Sequence, residues 1–294
     1  MEDALTLILA GISVGSVYAL IAIGLNLTYW TTRTMNFGQG SVMMLGAMMT
    51  AVLVAGGVID ALAALASLVV IAAIMVFTEV FTVRPALKIG GSMGWAVSTL
   101  GVGIILQGVA AKYFGSQAVA FPDMVFSAQD YVEVFGVRFA LQYLAILVLS
   151  VALVALLELL LRRTVWGRAM RAVSMDADLA AVAGIPVRPI VLGSYIASGL
   201  LAGIAGMLIA QTGGTVDPAF GFDLMIFGFV AAVLGGIGSS SGALLGGLVL
   251  GVIEKLVGGY VSTAAAHGIA FALLVVVLVA RPQGLFGQRE VVKV

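Results

Sequence analysis

Residues 164–185 read TVWGRAMRAVSMDADLAAVAGI, from Thr164 to Ile185. This is a polar island in a chain that is 62% hydrophobic and only 10% charged. Five of the 14 basic residues, Arg162, Arg163, Arg168, Arg171 and Arg188, lie in or beside it. Long apolar runs flank it on both sides. Such an island must lie in water beside a membrane, and its basic excess predicts the cytoplasmic face.

The composition supports that setting. Mean hydropathy is +1.19, and 294 residues with so few charges cannot fold as one soluble domain without a sticky surface. Apolar runs recur that are long enough to cross ~30 Å of hydrocarbon as helices. The net charge of zero implies no nucleic acid and no acidic partner surface. With no cysteine, disulfides, thiol catalysis and thiolate metal sites are excluded. The N-terminus carries no basic n-region and no short apolar stretch before a small-residue cleavage site, so residues 4–29 read as a retained first span.

Nine apolar segments can be drawn, at about 5–29, 36–58, 61–81, 93–111, 139–161, 189–211, 222–238, 241–258 and 264–281. The expected fold is an all-α polytopic transmembrane bundle of eight to ten spans, a single domain over 1–294, with a cytoplasmic loop at about 164–186. Lys and Arg placement orients it. With 162–188 inside, Arg33, Arg84, Lys88, Arg281, Arg289 and Lys293 also fall inside. The outside then receives the N-terminus, the polar linker 112–138 and the acidic turn near 212–223. The stretch Gly235–Gly242 is either a tight turn between two spans or the unwound centre of broken ones.

Gly238, Gly242 and Gly246 recur every four residues, as do Gly247/Gly251, Gly11/Gly15 and Gly199/Gly203. Faces of this kind let backbones touch in lipid. They read as helix packing, or as the lining of a path.

Inside the island, Gly167 is expected to break the fifth span after Trp166. Arg168 and Arg171, three apart, share a helical face. Asp176 is the expected N-cap of a short helix from Ala177 to Ala183, stopped by Gly184 and Pro186. Its exposed side should be small and alanine-rich. One reading is an ordinary basic loop; the other is an element shaped for a groove on a soluble partner.

The sequence resembles the branched-chain amino-acid (Liv-type) ABC importer permeases. Gly167-Arg168-Ala169-x-Arg171-Ala172, Asp176, Ala180-Ala181 and Gly184-Ile185 are similar to their cytoplasmic coupling loop. Gly15-Ser16-Val17-Tyr18-Ala19-Leu20 resembles their first span, and Met35-Asn36-Phe37-Gly38-Gln39-Gly40 the segment that opens their second. Gln39 stands where that family usually has His, and Gly38 where it has Ala. Ala232 to Ser239 with Gly242-Ala243, and Arg281-Pro282-Gln283-Gly284-Leu285-Phe286-Gly287, are similar to its late glycine-rich segment and its ending. The short N-terminus matches the smaller of its two paired permeases.

The resemblance implies a machine. A second, homologous permease shares the path, two cytoplasmic ATPases dock under the coupling helices, and a periplasmic binding protein delivers the solute. Gly167, Arg168, Arg171, Ala172, Asp176, Ala177, Ala180, Ala181 and Gly184 would form the ATPase-coupling element. ATP and Mg would bind the partner ATPases and no cofactor this chain. The residues agree on one point: no Gly-Lys pair occurs anywhere, so no phosphate-cradling P-loop is available.

Other polar residues remain to be weighed. Glu254-Lys255 is either an interfacial pair or a buried functional group. Glu79 and Glu158 can pair with Arg84 and Arg162. One His, His267, without Cys makes no standard zinc constellation. Asn26, Asn36, Gln39 and Gln107 read as interhelical glue, or as solute contacts, with Tyr18, Asn36, Gln39 and Gln107 the candidates for the path. The alternative function is a stand-alone secondary carrier or channel. It would need a mid-membrane carboxylate or a polar pore, and neither is evident.

Overall fold

The computed structural model describes residues 2–88, 93–124, 126, 130–134, 137–281 and 284–286. Arg289, Lys293 and the Pro282-Gln283 and Gly287 portions of the C-terminal motif lie outside them.

The chain is all-α. Helix α1 (Glu2–Thr32) is followed by α2 (Gln39–Ala55) and α3 (Asp60–Phe77). A π-helical turn (Thr78–Val83) continues α3 into α4 (Arg84–Lys88). Then come α5 (Gly94–Tyr113), α6 (Leu141–Arg163), α7 (Val165–Met175) and α8 (Ala177–Val182). The last four are α9 (Val187–Gly213), α10 (Phe220–Gly235), α11 (Ser240–Tyr260) and α12 (Thr263–Ala280). Among the described residues, seven apolar stretches are long enough to span a bilayer. Helices α2 and α10 are shorter, 17 and 16 residues, or about 24–26 Å. These nine helical runs follow the nine apolar segments of the sequence.

The polar linker between α5 and α6 carries short strands. β1 (Val119–Ala120) pairs antiparallel with β4 (Thr215–Val216), and β2 (Tyr131–Val134) with β3 (Val137–Ala140). They mark one end of the bundle, the hairpin end. The opposite end gathers Arg33, Arg84, α7, α8 and Arg188. There Leu285 and Phe286 donate to the Leu234 and Gly235 carbonyls, tying the tail to the end of α10.

Helix α1 is the hub. It packs against α6, α7, α9, α10 and α11, and Val17, Ala19, Leu20, Ile21 and Ala22 have no accessible surface. By contrast α3, α5, α6 and α12 expose Leu65, Val69, Val97, Ile104, Val148 and Val276. Outward apolar faces of this kind suit helices bathed in hydrocarbon, where exposing Leu or Val carries no hydrophobic penalty.

Glycine sets the distance between α1 and α11. A Cβ added at Gly15 would stand 2.6 Å from the Gly247 carbonyl oxygen, and one at Gly11 2.6 Å from the Val252 Cα. Gly247 and Gly251 return the contact onto Gly15 and Ala19. The four-residue series on α11 is therefore two faces. Gly242 and Gly246 meet Gly235 and Ala231 of α10, whereas Gly247 and Gly251 meet α1. Gly238 belongs to neither. It lies in the turn at φ 86° beneath Trp30, whose indole donates to its carbonyl at 2.7 Å. Gly235–Gly242 is thus a tight turn and not a broken span: Gly236 and Gly238 take positive φ, and Ser239 caps α11 by accepting from the Gly242 amide at 3.1 Å.

The π-helical turn explains an ion pair. Glu79 and Arg84 are five apart, a spacing that points apart on an α-helix but stacks along an i→i+5 ladder. Arg84 Nε donates to Glu79 Oε1 at 3.0 Å and its Nη2 to Oε2 at 2.6 Å. Arg162 likewise holds Glu158 at 2.6 Å.

Gly15→Leu or Gly247→Leu should overpack the α1–α11 contact, a change that costs about 1–3 kcal/mol or more. Gly108→Leu, at a position with open space around it, should cost little. Thermal unfolding of detergent-purified variants checks this, with equal melting temperatures as the contrary result.

Candidate functional site

The polar island folds into two capped helices. Helix α6 ends at Arg163, and Thr164 takes extended backbone, φ −95° and ψ 160°. Its hydroxyl accepts from the Gly167 amide at 3.1 Å and so caps α7. The break therefore falls at Thr164, three residues before Gly167. Gly167 lies within α7, because α7 folds back so tightly that a Cβ there would overlap the Leu161 backbone.

Asp176 terminates α7 and caps α8, its Oδ1 accepting from the Asp178 and Leu179 amides at 3.0 Å each. Gly184 takes φ 81°. Its amide bonds the Ala181 carbonyl, and the Ile185 amide bonds the Ala180 carbonyl. This is the paired closure of a Schellman stop, which needs a left-handed residue.

The element shows a mixed face to solvent. Arg168 and Arg171 are both exposed, as their spacing requires. Met170 and Val173 are buried against the bundle, with Ala169, Ala172 and Ala177 partly buried beside them. Ala180 is also buried, at 5%, so it does not belong to an exposed alanine face; Ala181 and Ala183 are exposed. What protrudes is larger: Met175, Leu179 and Val182 are 86%, 67% and 87% exposed. Leu179 and Val182, three apart, share a face of α8, and Met175 ends α7 just before it. An apolar knob rimmed by Arg168, Arg171, Asp176 and Asp178 has the character of a protein-contact surface.

The second region lies at the start of α2. After Thr32 the chain does not leave for the next span. Residues 34–38 turn back into the bundle, where Thr34, Met35, Asn36 and Gly38 are buried. Gln39 Nε2 donates to the Ile21 carbonyl at 3.2 Å. Ile21 is eleven residues before the end of α1, about 16 Å along its axis. Helix α2 therefore begins deep in the bundle. Its start is three residues later than the apolar segment suggested, because irregular chain and a turn occupy 34–38.

Side chains satisfy much of this buried backbone. Asn36 Oδ1 accepts from the Gly38 amide at 3.0 Å. Thr99 Oγ1 of α5 accepts from the Phe37 amide at 3.2 Å. Ser198 of α9 donates to Gln39 Oε1 at 3.4 Å. Gln39 thus joins α1, α2 and α9. Phe37 stacks on Trp95 with ring centroids 5.8 Å apart.

The four path candidates are not one cluster. Asn36 and Gln39 are together. Tyr18 lies one turn along α1 from Ile21, stacked on Phe227 at 5.1 Å, and its hydroxyl donates to Glu254 Oε2 at 3.1 Å. Lys255 Nζ stands 3.5 Å from Glu254 Oε1. Gln107 is half-buried on α5, eight residues beyond Thr99, about 12 Å along the axis. His267 presents an edge to Phe227 at 5.1 Å. Asn26 serves the α10–α11 turn by accepting from the Gly238 amide at 3.0 Å. Thr99 and Ser198 were not legible as partners of this segment: single hydroxyl residues in apolar helices carry no signal until the helices are docked.

The comparisons agree with this architecture. The family model described as branched-chain amino acid transport system, permease component, matches residues 7–279. The chain is 32% identical to the high-affinity branched-chain amino acid transport permease LivH of Escherichia coli K12, covering 97% of this chain and 96% of that one. It is 34% identical to BraD of Pseudomonas aeruginosa over the same shares, 97% and 96%. It is 33% identical to a probable LivH of Methanocaldococcus jannaschii over 91% and 88%. Among solved structures, PsaBC from Streptococcus pneumoniae in complex with Fab has the same fold, with a TM-score of 0.53 at 15% identity over 95% of this chain and 91% of that one. The protein, a multi-pass bundle of apolar helices with a capped polar element at its basic end, belongs to the branched-chain amino acid transport permease family.

Proposed function

We propose that this chain is one permease subunit of an ATP-driven importer in a bacterial-type inner membrane, carrying a branched-chain or other hydrophobic amino acid, or a related small carboxylate, amide or urea. A second, homologous permease completes the path. A periplasmic binding protein delivers the solute at the hairpin end. Two separate ATPases, with their ATP and Mg, dock at the basic end, which faces the cytoplasm together with the C-terminus. The stand-alone carrier or channel is not favoured: the relatives are named as components of transport systems.

The observation that carries the docking assignment is the α7–α8 element. It is capped at both ends, anchored by Met170, Val173 and Ala180, and projects Met175, Leu179 and Val182 beside two arginines. A loop that only satisfied the charge bias of topology would not need two capped helices held against the core. Closure of the ATPase pair would move this element, and the spans would rearrange around the path.

The chain has no cysteine, so Val182→Cys supplies a single thiol for a topology test. Impermeant maleimide added to intact cells, with the outer membrane permeabilised, should leave it unlabelled, and inverted vesicles should label it fully. Labelling from the periplasmic side would overturn the orientation.

Leu179→Asp and Arg171→Glu should each reduce ATP-coupled uptake at least tenfold and weaken ATPase co-purification, with membrane insertion unchanged. Normal stimulation of the ATPase by loaded binding protein in both variants would remove the docking role.

Gln39→Ala should lower uptake more than Gln107→Ala, because it unties α2 from α1 and α9. Initial rates in proteoliposomes decide this, and equal rates would count against it.

A further inference from the structure

We infer that Arg33 is a positioning residue that passes motion of α7–α8 into the buried start of α2. The inference rests on the docking role proposed for α7–α8 and adds the connection from that element to the path.

Three observations meet at Arg33. First, its guanidinium reaches the end of α7: Arg33 Nη2 donates to the Ser174 carbonyl at 3.0 Å. The last carbonyls of a helix have no intrahelical partner. The amide of Asp178, which would serve Ser174 in a continuous helix, is held by the Asp176 carboxylate instead. A cation also suits the negative pole of the helix C-terminus. The bond therefore joins α1 to the junction of α7 and α8, the place where a push on the exposed knob is felt.

Second, Arg33 is the one non-glycine residue with positive φ, 56°, among the described residues. A left-handed backbone is unfavourable for a residue with a Cβ, and it persists where surroundings over-determine it. The surroundings here are the end of α1. The Arg33 amide bonds the Tyr29 carbonyl at 2.9 Å, and the guanidinium lies 5.6 Å from the centre of the Tyr29 ring. Thr34 Oγ1 shares hydrogen bonds with Thr32 Oγ1 at 2.6 Å and the Tyr195 hydroxyl at 3.1 Å. Arg33 is thus the reversal point of the chain.

Third, only residues 34–38 separate that point from Gln39. Trans peptides fix consecutive Cα atoms about 3.8 Å apart, and the turn before α2 is closed by bonds from the Gly38 amide to Asn36 Oδ1 and from the Gln39 amide to the Asn36 carbonyl, so the short segment passes a displacement on as a unit. Its far end carries Asn36, Phe37 and Gln39: Asn36 bonds Met75 of α3, the Phe37 amide bonds Thr99 of α5, and Gln39 bonds Ile21 of α1 and Ser198 of α9. A shift of the α7 terminus moves Arg33, and the segment carries that shift to the depth where α2 begins. A charge serving only to fix topology would need no bond to α7 and no left-handed backbone.

The test uses the complete importer, both permeases with the ATPases and binding protein, in proteoliposomes with L-leucine as the probe. Arg33→Gly removes the guanidinium while glycine accepts the positive φ, so the reversal keeps its shape. Arg33→Lys retains a cation. Arg33→Gly should lower leucine uptake per ATP hydrolysed at least tenfold, with the ATPase co-purifying at normal stoichiometry, and Arg33→Lys should restore at least half. Unchanged uptake per ATP in Arg33→Gly would overturn the inference. So would loss of ATPase co-purification in Arg33→Gly, which makes the residue one of assembly. Arg171→Glu is measured in parallel. If it abolishes coupled uptake while Arg33→Gly does not, docking stands and the link through Arg33 falls. If Arg171→Glu and Leu179→Asp both leave coupled uptake intact, the docking role falls and takes this inference with it.

Discussion

The bundle depends on backbone-to-backbone contact at α1. In lipid there is little hydrophobic gain from bringing two apolar helices together, so association rests on close packing and on the hydrogen bonds it permits. Gly11 and Gly15 of α1 lie against Gly247, Gly251 and Val252 of α11 at distances that no side chain tolerates. The same device recurs where Gly46 of α2 meets Gly203 of α9, whereas Gly228 of α10 makes room for the Ile21 side chain. These contacts leave α1 surrounded by protein while α3, α5, α6 and α12 face outward.

A second constraint shapes the start of α2. Backbone that is neither helix nor strand is tolerated at membrane depth only where it is buried in protein or lines a water-filled cavity. Residues 34–38 meet that demand with Asn36, Thr99 and the Asn36 carbonyl, which accepts from the Gln39 amide at 3.2 Å. The polar residues of this region are thus structural partners of an irregular segment as well as candidates for contact with solute. Bonds of this kind exchange at smaller cost than a helical ladder. A segment held by side chains from α3, α5 and α9 responds when any of those helices shifts.

The basic element at the other end of this segment is rigid for a different reason. Thr164, Asp176 and Gly184 close its helix ends, and Met170, Val173 and Ala180 seat it on the bundle. Its outward side chains are then free to meet a partner without disturbing its fold. Arg33 joins the rigid element to the irregular one.

The sequence by itself determined the class of protein, the nine apolar helices, the gathering of basic residues at one end, and the caps at Asp176 and Gly184. These follow from local rules: length against membrane thickness, charge bias, and the few residues that end a helix. Three expectations needed the folded chain to correct them. Gly167 is not a breaker, because its constraint is the neighbouring Leu161 backbone. Ala180 is buried, because α8 leans on the core with that face and leaves Leu179 and Val182 outside. The glycine series of α11 serves two partners, because four-residue spacing defines a face but not what packs on it. The return of 34–38 into the bundle, the Gln39 tie to Ile21 and Ser198, and the reach of Arg33 to Ser174 were decided by tertiary structure alone. Each joins residues far apart in the chain, and no local pattern encodes which buried polar groups will meet once helices have docked.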